Sequence, residues 1–463
     1  MRRQITHPGS GQLRYMIREI VEFGRAVQSL GRPIIWENIG DPVRKGEAPP
    51  EWIRTIVGEL AAREESYAYS DTQGVAATRE FLADRANDRL EPASTTGNGE
   101  GPGADSGARI DADDIIFFNG LGDAVSKIFG QLRAQARVIG PSPAYSTHSS
   151  AEAAHSGYEH LTYRLDPDRG WLPDLDELEN TVRYNPSIAG ILIINPDNPT
   201  GAVYPRDVLE RFVEIARRHN LFIICDETYA HVVYGGAHET HLNQILGDVP
   251  GIAMRSISKE VPWPGARCGW IEVYNRKSDP DFDGYVESLI AAKRLEVCST
   301  TLPQLAIPRI MGDPRYVEHL DTRNAEYDAR AGETLEALGG LDALRVNRPR
   351  GGFFITPVFD AGALPADGIL PIQEPEIRVL VEEKVRSAEP DARFVYYLLG
   401  ATGVCVVPLS GFCSQLDGFR LTLLETSDDV RQRALSAIAS SVQEYCATGR
   451  NRPQLEEAAL ARD

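Results

Sequence analysis

Short apolar runs, rich in β-branched and aromatic residues, alternate with amphipathic helical stretches through the middle of the chain. The runs occupy residues 115–118, 137–140, 190–194, 221–225, 252–257 and 268–273. Just before the fourth run, a segment that begins with Pro205 places apolar residues on one side, a pattern typical of a crossover helix. This alternation predicts an α/β fold in which a mostly parallel central sheet lies between layers of helices.

Outside this region the pattern predicts further helices and a smaller body. Residues 11–30, 51–61 and 74–90 have the spacing of amphipathic helices, and the first is interpreted as an arm that packs across a dimer. A long helical region follows residue 281, and from 345 onward strand-like pieces interleave with helices, which predicts a small α+β domain. Residues 91–110 have almost no apolar content and are predicted to form a surface insertion.

These patterns divide the chain into four parts. Residues 1–50 are expected to form an N-terminal arm and part of the small domain, 51–325 the large domain, 326–448 the small C-terminal domain and 449–463 a flexible tail. The small domain is therefore expected to be built from both chain ends.

The acidic composition narrows the choice of binding partners. The 463 residues include 48 Lys and Arg against 67 Asp and Glu, which gives a net charge of −19 and an isoelectric point near 5.0. A surface of this charge repels phosphate backbones and anionic lipids, so no nucleic acid and no membrane is expected as a partner. Only six of the 48 basic residues are Lys. Adaptation to high salt and GC-rich codon usage explain that scarcity equally well.

Cysteine usage and hydropathy favour a cytoplasmic protein. Six Cys residues are scattered along the chain, with no C-x-x-C pair and no His at metal-ligand spacing, so reduced thiols and no metal site are expected. The opening residues are basic but are not followed by an apolar stretch, and no run approaches 18 apolar residues. Export and membrane spanning are therefore not expected.

Four polar clusters follow strand-like runs, which is where open α/β sheets bind ligands. They are N-G-L-G-D-A at 119–124, N-P-D-N-P-T-G at 195–201, D-E-T-Y at 226–229 and S-I-S-K at 256–259, the last with Arg267 eight residues further on. Each cluster alone has an ordinary explanation, because an acid often caps a strand end and N-P-T-G is turn chemistry.

Taken together, in this order and with a C-terminal F-R-L at 419–421, the clusters closely resemble the class I and II aminotransferases, which are fold type I pyridoxal-phosphate enzymes. The resemblance extends from about Tyr15 to Arg433. It implies a pyridoxal 5′-phosphate (PLP) cofactor in the large domain. It also implies ping-pong transfer of an amino group from an L-amino acid to a 2-oxo acid, and a homodimer with shared active sites.

Three residues carry the catalytic roles that the resemblance implies. Lys259 would form the Schiff base with the cofactor and act as the general base once substrate displaces it. Asp226 would keep the pyridine nitrogen protonated, since only a charged partner raises the pKa of that nitrogen enough. Tyr229, together with Asn198, would hydrogen-bond the 3-oxygen of the cofactor.

Further residues are expected to hold the cofactor's phosphate and ring. The backbone of Leu121 and Gly122 would present N–H groups at a helix start, and Arg267 would clamp the phosphate with a planar fork. The remaining expected contacts are Ser256 and Ser258 in the turn before the lysine, Tyr145 stacked on the ring, and Tyr69 reaching the phosphate of the neighbouring subunit.

Substrate recognition is expected at four positions. By resemblance, Ile39 and Gly40 close over the substrate through their backbone, Asn198 lies beside it, and Arg420 pairs with the α-carboxylate. All amino acids share that carboxylate, so Arg420 does not identify the donor. Arg294 could bind a distal carboxylate, but the spacing around it differs from that of typical aspartate transaminases.

Two other functions share these motifs. A PLP-dependent lyase, decarboxylase or cyclopropane-forming synthase would use the same site with a different substrate orientation. A transcription regulator with a PLP-sensing domain is not expected, because the start of the chain leaves no room for a winged helix.

The Asn198–Pro199 bond is expected to be a cis peptide, and His148 is interpreted as exposed.

Overall fold

A computed structural model describes residues 16–90 and 107–460, with side chains to 448. Residues 91–106 of the predicted insertion lie outside the described residues. Of the predicted tail at 449–463, the backbone of 449–460 belongs to the last helix, and residues 461–463 lie outside the described part.

The described part of the chain contains fourteen α-helices and fifteen strands. The helices are α1 (Met16–Ser29), α2 (Glu51–Ala61), α3 (Ala76–Asp88), α4 (Leu121–Gly130), α5 (Ser146–Ser156), α6 (Leu175–Tyr184), α7 (Arg206–His219), α8 (Ile257–Glu260), α9 (Pro280–Arg294), α10 (Thr301–Met311), α11 (Arg315–Leu338), α12 (Pro375–Lys384), α13 (Pro390–Thr402) and α14 (Asp428–Leu460). The strands are β1 (Ile35–Trp36), β2 (Ile115–Phe118), β3 (Arg137–Ser142), β4 (Thr162–Asp166), β5 (Leu172–Pro173), β6 (Ile188–Ile194), β7 (Phe222–Asp226), β8 (Gly251–Ser256), β9 (Gly269–Tyr274), β10 (Leu344–Val346), β11 (Phe354–Ile355), β12 (Pro357–Phe359), β13 (Val404–Cys405), β14 (Val407–Pro408) and β15 (Phe419–Thr422).

The central sheet has eight strands among the described residues, in the order β2-β9-β8-β7-β6-β3-β4-β5. Five neighbouring strands, β8, β7, β6, β3 and β4, run parallel to one another, whereas β9 and β5 run in the opposite direction. All six predicted runs are strands of this sheet, and the segment after Pro205 is the helix α7. The prediction of a mostly parallel sheet between helices is confirmed.

Both faces of the sheet are buried, because successive side chains of a strand point to opposite sides. In β2, Ile116 and Phe118 pack with α4 and α9 on one face, whereas Ile115 and Phe117 belong to the larger apolar core on the other. The alternation continues in β6, where Leu192 and Ile194 join the first cluster. Burial on both faces explains why the strands are continuous apolar runs.

A smaller body is built from the two ends of the chain, as predicted. Strand β1 pairs in parallel with β13, and β15 pairs with both β11 and β14. Helix α13 packs on these short strands and on α14 through aromatic contacts, with Phe394 against Phe419 of β15 and against Tyr445 of α14. None of the helices in the described part of the chain combines the length and apolar content needed to cross a bilayer.

The direction of the strands decides where the polar clusters meet. Strands β2, β6, β7 and β8 point the same way, so the residues that follow them lie at one edge of the sheet. Strand β9 is antiparallel to these. Arg267, which lies two residues before β9 begins, is therefore at that same edge. Segments far apart in sequence are brought together there.

Candidate active site

A cavity of about 480 Å³ lies at this edge of the sheet, between the sheet and the smaller body. Thirteen of the residues predicted from the sequence line it: Ile39, Gly40, Leu121, Gly122, Tyr145, Asn198, Asp226, Tyr229, Ser256, Ser258, Lys259, Arg267 and Arg420. The structure therefore brings together residues from both ends of the chain and from the ends of six strands of the central sheet.

Lys259 lies on α8, a single helical turn that directly follows β8. Its Nζ donates a hydrogen bond to the carbonyl oxygen of Gly40 at 2.6 Å and lies 5.4 Å from the centre of the Phe353 ring. Burial lowers the pKa of this amine to about 8, and the positive charges of Arg420 and Arg267 act in the same direction. At pH 7 a lysine with this pKa is neutral, and therefore nucleophilic, in about one molecule in ten, far more often than an ordinary lysine with a pKa of about 10.4.

Asp226 ends β7, and its carboxylate is buried in the floor of the cavity. The Oδ1 atom accepts hydrogen bonds from the backbone N–H and hydroxyl of Thr228 at 3.0 and 2.6 Å. The Oδ2 atom lies 2.7 Å from Nε2 of His148. Burial alone would raise the pKa of this carboxyl, but the bonds from His148 and Thr228 outweigh it and hold the pKa below its usual value.

The interpretation of His148 as an exposed residue is wrong. Its side chain is 1% exposed, because it lies in the first turn of α5 and packs edge-on to Tyr145 with 6.2 Å between ring centres. The helix start after P-S-P-A-Y places positions three apart on one face, so Tyr145 and His148 both face the cavity. That spacing is a sequence signal that His148 shares the face of Tyr145, although it does not identify Asp226 as the partner.

The loop between β2 and α4 forms an anion-binding cradle. Gly120 has a φ of +84°, and a Cβ at this position would collide with the guanidinium of Arg267. The N–H groups of the first turn of α4 therefore lie beside Arg267. Ser256 accepts a hydrogen bond from the N–H of Ser258 at 3.0 Å, which fixes both hydroxyls in the turn before Lys259.

The negative charge of Asp123, near this cradle, is offset by two lysines. Asp123 accepts the N–H of Asn119 at 3.0 Å and is paired with Lys127, while the buried Lys293 lies 3.8 Å away. Lys293 also bonds Glu296 at 2.7 Å, so two of the six lysines support the loop. Sequence reasoning did not identify either lysine, since neither belongs to a motif.

Arg420 lies on β15 and is 2% exposed. Its two terminal nitrogens donate to the Asn198 side-chain oxygen at 3.0 Å and to the carbonyl oxygen of Asn38 at 2.9 Å. The guanidinium lies 3.9 Å from the centre of the Phe354 ring, which holds its plane in one orientation. The Asn38 side chain also lines the cavity, and its polar atoms have no hydrogen-bond partner among the described residues.

The prediction of a cis peptide at Asn198–Pro199 is wrong. In the described residues the cis bonds are Ser142–Pro143 and Asn195–Pro196. The turn that follows is held by Asp197, which is buried and accepts hydrogen bonds from the N–H and hydroxyl of Thr200. Asn198 accepts a hydrogen bond from Arg420 with a trans bond after it.

The predicted residue Tyr69 and the possible side-chain reader Arg294 do not reach the cavity of this single chain. Tyr69 is 83% exposed, and Arg294 is also exposed at the end of α9. Neither is among the residues that line the cavity. Other large side chains of the same segments are exposed as well, including Tyr67, Leu295 and Val297.

Three comparisons with known proteins identify relatives of this chain. The family model described as aminotransferase class I and II matches residues 35–438. An uncharacterized aminotransferase of Methanocaldococcus jannaschii is 48% identical over 448 residues, covering 97% of this chain and all of the relative. The glutamate-pyruvate aminotransferase of Escherichia coli is 26% identical over 345 residues, covering 74% of this chain and 79% of the relative.

Solved structures share the fold. An alanine aminotransferase from Pyrococcus furiosus superposes with a TM-score of 0.78 and 24% identity, and the match covers 96% of this chain and all of that one. An aspartate aminotransferase from Thermus thermophilus, a double mutant, has a TM-score of 0.76 and 20% identity, covering 95% of this chain and all of that one.

The lowered pKa of Lys259 can be tested by its reactivity. In protein freed of bound aldehydes with hydroxylamine, acylation of Lys259 by acetic anhydride should rise with pH to a midpoint near 8, because only the neutral amine reacts. The extent of labelling would be read from peptide masses, with a short lysine peptide, of pKa about 10.4, as the internal standard. A midpoint equal to that of the standard would contradict the burial of this amine.

Proposed function

This chain belongs to the class I and II aminotransferase family and is an aminotransferase, and we propose that it works with pyridoxal 5′-phosphate held at Lys259. The observation that carries the proposal is that the Lys259 amine, the Asp226 carboxylate and the Arg267 cradle line one cavity. The relatives described above are all aminotransferases, and none is a lyase, a decarboxylase or a cyclopropane-forming synthase.

The chemistry of the cavity fits this cofactor. A phosphate suits the helix start at Leu121, where a side chain on Gly120 would obstruct the approach of Arg267. A protonated pyridine nitrogen suits the ionised, buried carboxylate of Asp226, and an aldehyde suits the amine of Lys259. When bound, the cofactor would act as an electron sink for the α-carbon of the substrate.

Each of the catalytic residues has a defined task in this proposal. Asp226 holds a proton on the ring nitrogen, and His148 and Thr228 keep its carboxylate ionised despite burial. Lys259 binds the cofactor covalently and later moves a proton at the substrate's α-carbon, for which a pKa near working pH is suited. We assign Tyr229 and Asn198 to hydrogen bonds with the cofactor's 3-oxygen and Tyr145 to contact with the ring.

Arg420 is the proposed partner of the substrate α-carboxylate. Its two terminal nitrogens already bind two oxygens, from Asn198 and Asn38, so the fork is oriented before a carboxylate arrives. Gly40 lies close enough to accept a hydrogen bond from Lys259, which puts the Ile39–Gly40 segment beside the reacting amine.

A dimer is part of the proposal. Tyr69 is assigned to the phosphate of the partner's cofactor, and its exposure in a single chain is what that role requires. Tyr67, Leu295 and Val297 expose further apolar surface in the neighbouring segments. Contact with a second copy would bury this surface.

We further propose glutamate with pyruvate as one donor and acceptor pair. The E. coli relative is named for this pair. Three arginines, Arg18 and Arg25 on α1 and Arg44, line the outer part of the same cavity. Arginine pairs well with carboxylates, and a second cationic site beyond Arg420 suits the distal carboxylate of glutamate.

The first test combines activity with the point of attachment. Purified protein should be yellow, and borohydride should fix the cofactor to Lys259 and to no other lysine, as read from peptide masses. A coupled assay should detect 2-oxo acid formation from glutamate only when an acceptor such as pyruvate is present. Attachment at Lys45 or Lys127, or oxo-acid release without an acceptor, would contradict the proposal.

The two assigned arginines should separate under the same substitution. Arg420→Lys keeps the charge but loses the paired geometry. The value of kcat/KM should therefore fall by a similar factor for every donor, equivalent to a loss of about 2–4 kcal/mol in transition-state stabilisation. The absorption spectrum of the bound cofactor should not change. Arg267→Lys should instead weaken cofactor retention during dialysis. If Arg420→Lys changed the ratio of kcat/KM values between donors and left the value for the best donor unchanged, Arg420 would instead recognise the donor's side chain.

The outer arginines can be tested against an exposed arginine outside the cavity. Among Arg18→Gln, Arg25→Gln and Arg44→Gln, at least one should raise KM for glutamate about tenfold, or about 1.4 kcal/mol, while leaving KM for alanine unchanged. Arg54→Gln on α2 serves as the control and should affect neither substrate. Equal losses for glutamate and alanine would exclude a distal-carboxylate site here.

A further inference from the structure

A group of metal-ligating side chains lies outside the active site, in the segment that follows β7. One ligand atom from each of His231, Glu239 and His241 lies within 4.8 Å of the other two. From this grouping we propose that the three residues form a binding site for a divalent transition metal ion, with Zn²⁺ as the best-matched ion. The site is separate from the proposed function and does not depend on it.

The local chain conformation explains why these residues meet. Gly235 and Gly236 both have positive φ values, 64° and 78°, so the chain reverses sharply between His231 and Glu239. His241 then directly precedes a short 3-10 helix at Leu242–Gln244. The rings of the two histidines come to lie 5.7 Å apart, centre to centre.

Each histidine has a carboxylate behind its Nδ1 atom. Nδ1 of His231 lies 2.6 Å from a carboxylate oxygen of Glu260, which holds the ring proton there and leaves Nε2 available for a metal. Nδ1 of His241 lies 3.3 Å from Glu227, and its Nε2 lies 3.5 Å from Glu239. Carboxylate, imidazole and metal in a row is the usual arrangement around zinc-binding histidines.

Arg255 competes for one of these positions. Its guanidinium lies 3.0 Å from Nδ1 of His241 and is also paired with Glu227. A metal at Nε2 selects the tautomer in which Nδ1 donates to Glu227, and Arg255 then bonds to Glu227 and Glu272 and no longer to the imidazole. Any proton on either Nε2 leaves to solvent when the ion binds, and the ion gives up one water for each new ligand.

The electrostatics and access of the cluster favour a cation. The buried carboxylates of Glu260 and Glu227 each contact one histidine of the cluster, and the charge of Arg255 is offset by its pairing with Glu227 and Glu272. Glu239 is exposed, so the ion has a path from solvent and this ligand can move. Zinc ligands lie about 2.0–2.2 Å from the ion, so the three atoms must approach one another by roughly 1 Å.

Three protein ligands leave one position for water in a tetrahedral site. We assign the ion a structural role, because it would close the loop of residues 231–241 directly after the segment that carries Asp226 and Tyr229. Neither histidine nor Glu239 lines the active-site cavity. The ion therefore would not touch the substrate.

The test is zinc binding by the complete protein, with its cofactor bound, after treatment with a chelator. Equilibrium dialysis against zinc chloride should give one tightly bound ion per chain, and zinc should raise the melting temperature. Glu239→Gln removes a ligand at an exposed position without opening the core, and it should weaken zinc binding by at least about tenfold and abolish the thermal shift. His231→Gln should have the same effect.

Two control variants separate this site from others. His238→Gln removes an exposed histidine next to Glu239, and Cys413→Ser removes an exposed thiol; both should bind zinc like the unaltered protein. Absence of a tight zinc ion would overturn the proposal, and so would equal binding by Glu239→Gln. Loss of binding in either control would assign the ion to different ligands and overturn it as well. All readouts are independent of aminotransferase activity.

Discussion

The active site depends on the common direction of the sheet strands. Because β6, β7 and β8 are parallel and in register, with Ile194 opposite Asp226 and Asp226 opposite Met254, the residues after each strand end at one edge. Polar groups can collect there without interrupting the apolar interior, since each strand is buried up to its last residue. The reversed direction of β9 adds Arg267 to the same edge from the opposite end of a strand.

Collecting charges at a buried edge has a cost in desolvation, and the structure offsets it residue by residue. Asp226 keeps its charge through His148 and Thr228, whereas burial of Lys259 outweighs the opposing charges of Asp41 and Asp226, so its pKa falls. The same principle governs the opposite side of the loop, where Arg255 is paired with Glu227 and Glu272. Bonds to buried carboxylates on both sides of the segment that follows β7 therefore hold in place the part of the chain that carries the proposed catalytic residues.

The smaller body completes the cavity because it is made from both chain ends. Pairing of β1 with β13 fixes Asn38 and Gly40 over the sheet edge, and β15 brings Arg420 to Asn198. Without this second body the edge would keep the residues proposed to hold the cofactor but would lack Arg420, the proposed partner of the substrate carboxylate. The division of tasks follows the division of the chain: the sheet supplies the proposed cofactor contacts, and the terminal segments supply the proposed substrate contacts.

The sequence alone determined six strands of the central sheet, the crossover helix and thirteen residues of the cavity, because apolar periodicity and motif spacing are local properties. It could not place His148 against Asp226, or Asn38 under Arg420, since these contacts join residues 78 and 382 positions apart. It expected the cis bond at Asn198–Pro199, whereas the packed turn has it at Asn195–Pro196. The pairing of His231 and His241 with glutamates also appeared only in the structure. Side-chain partners and charge states are decided by tertiary packing, because both depend on what surrounds a group after the chain has folded.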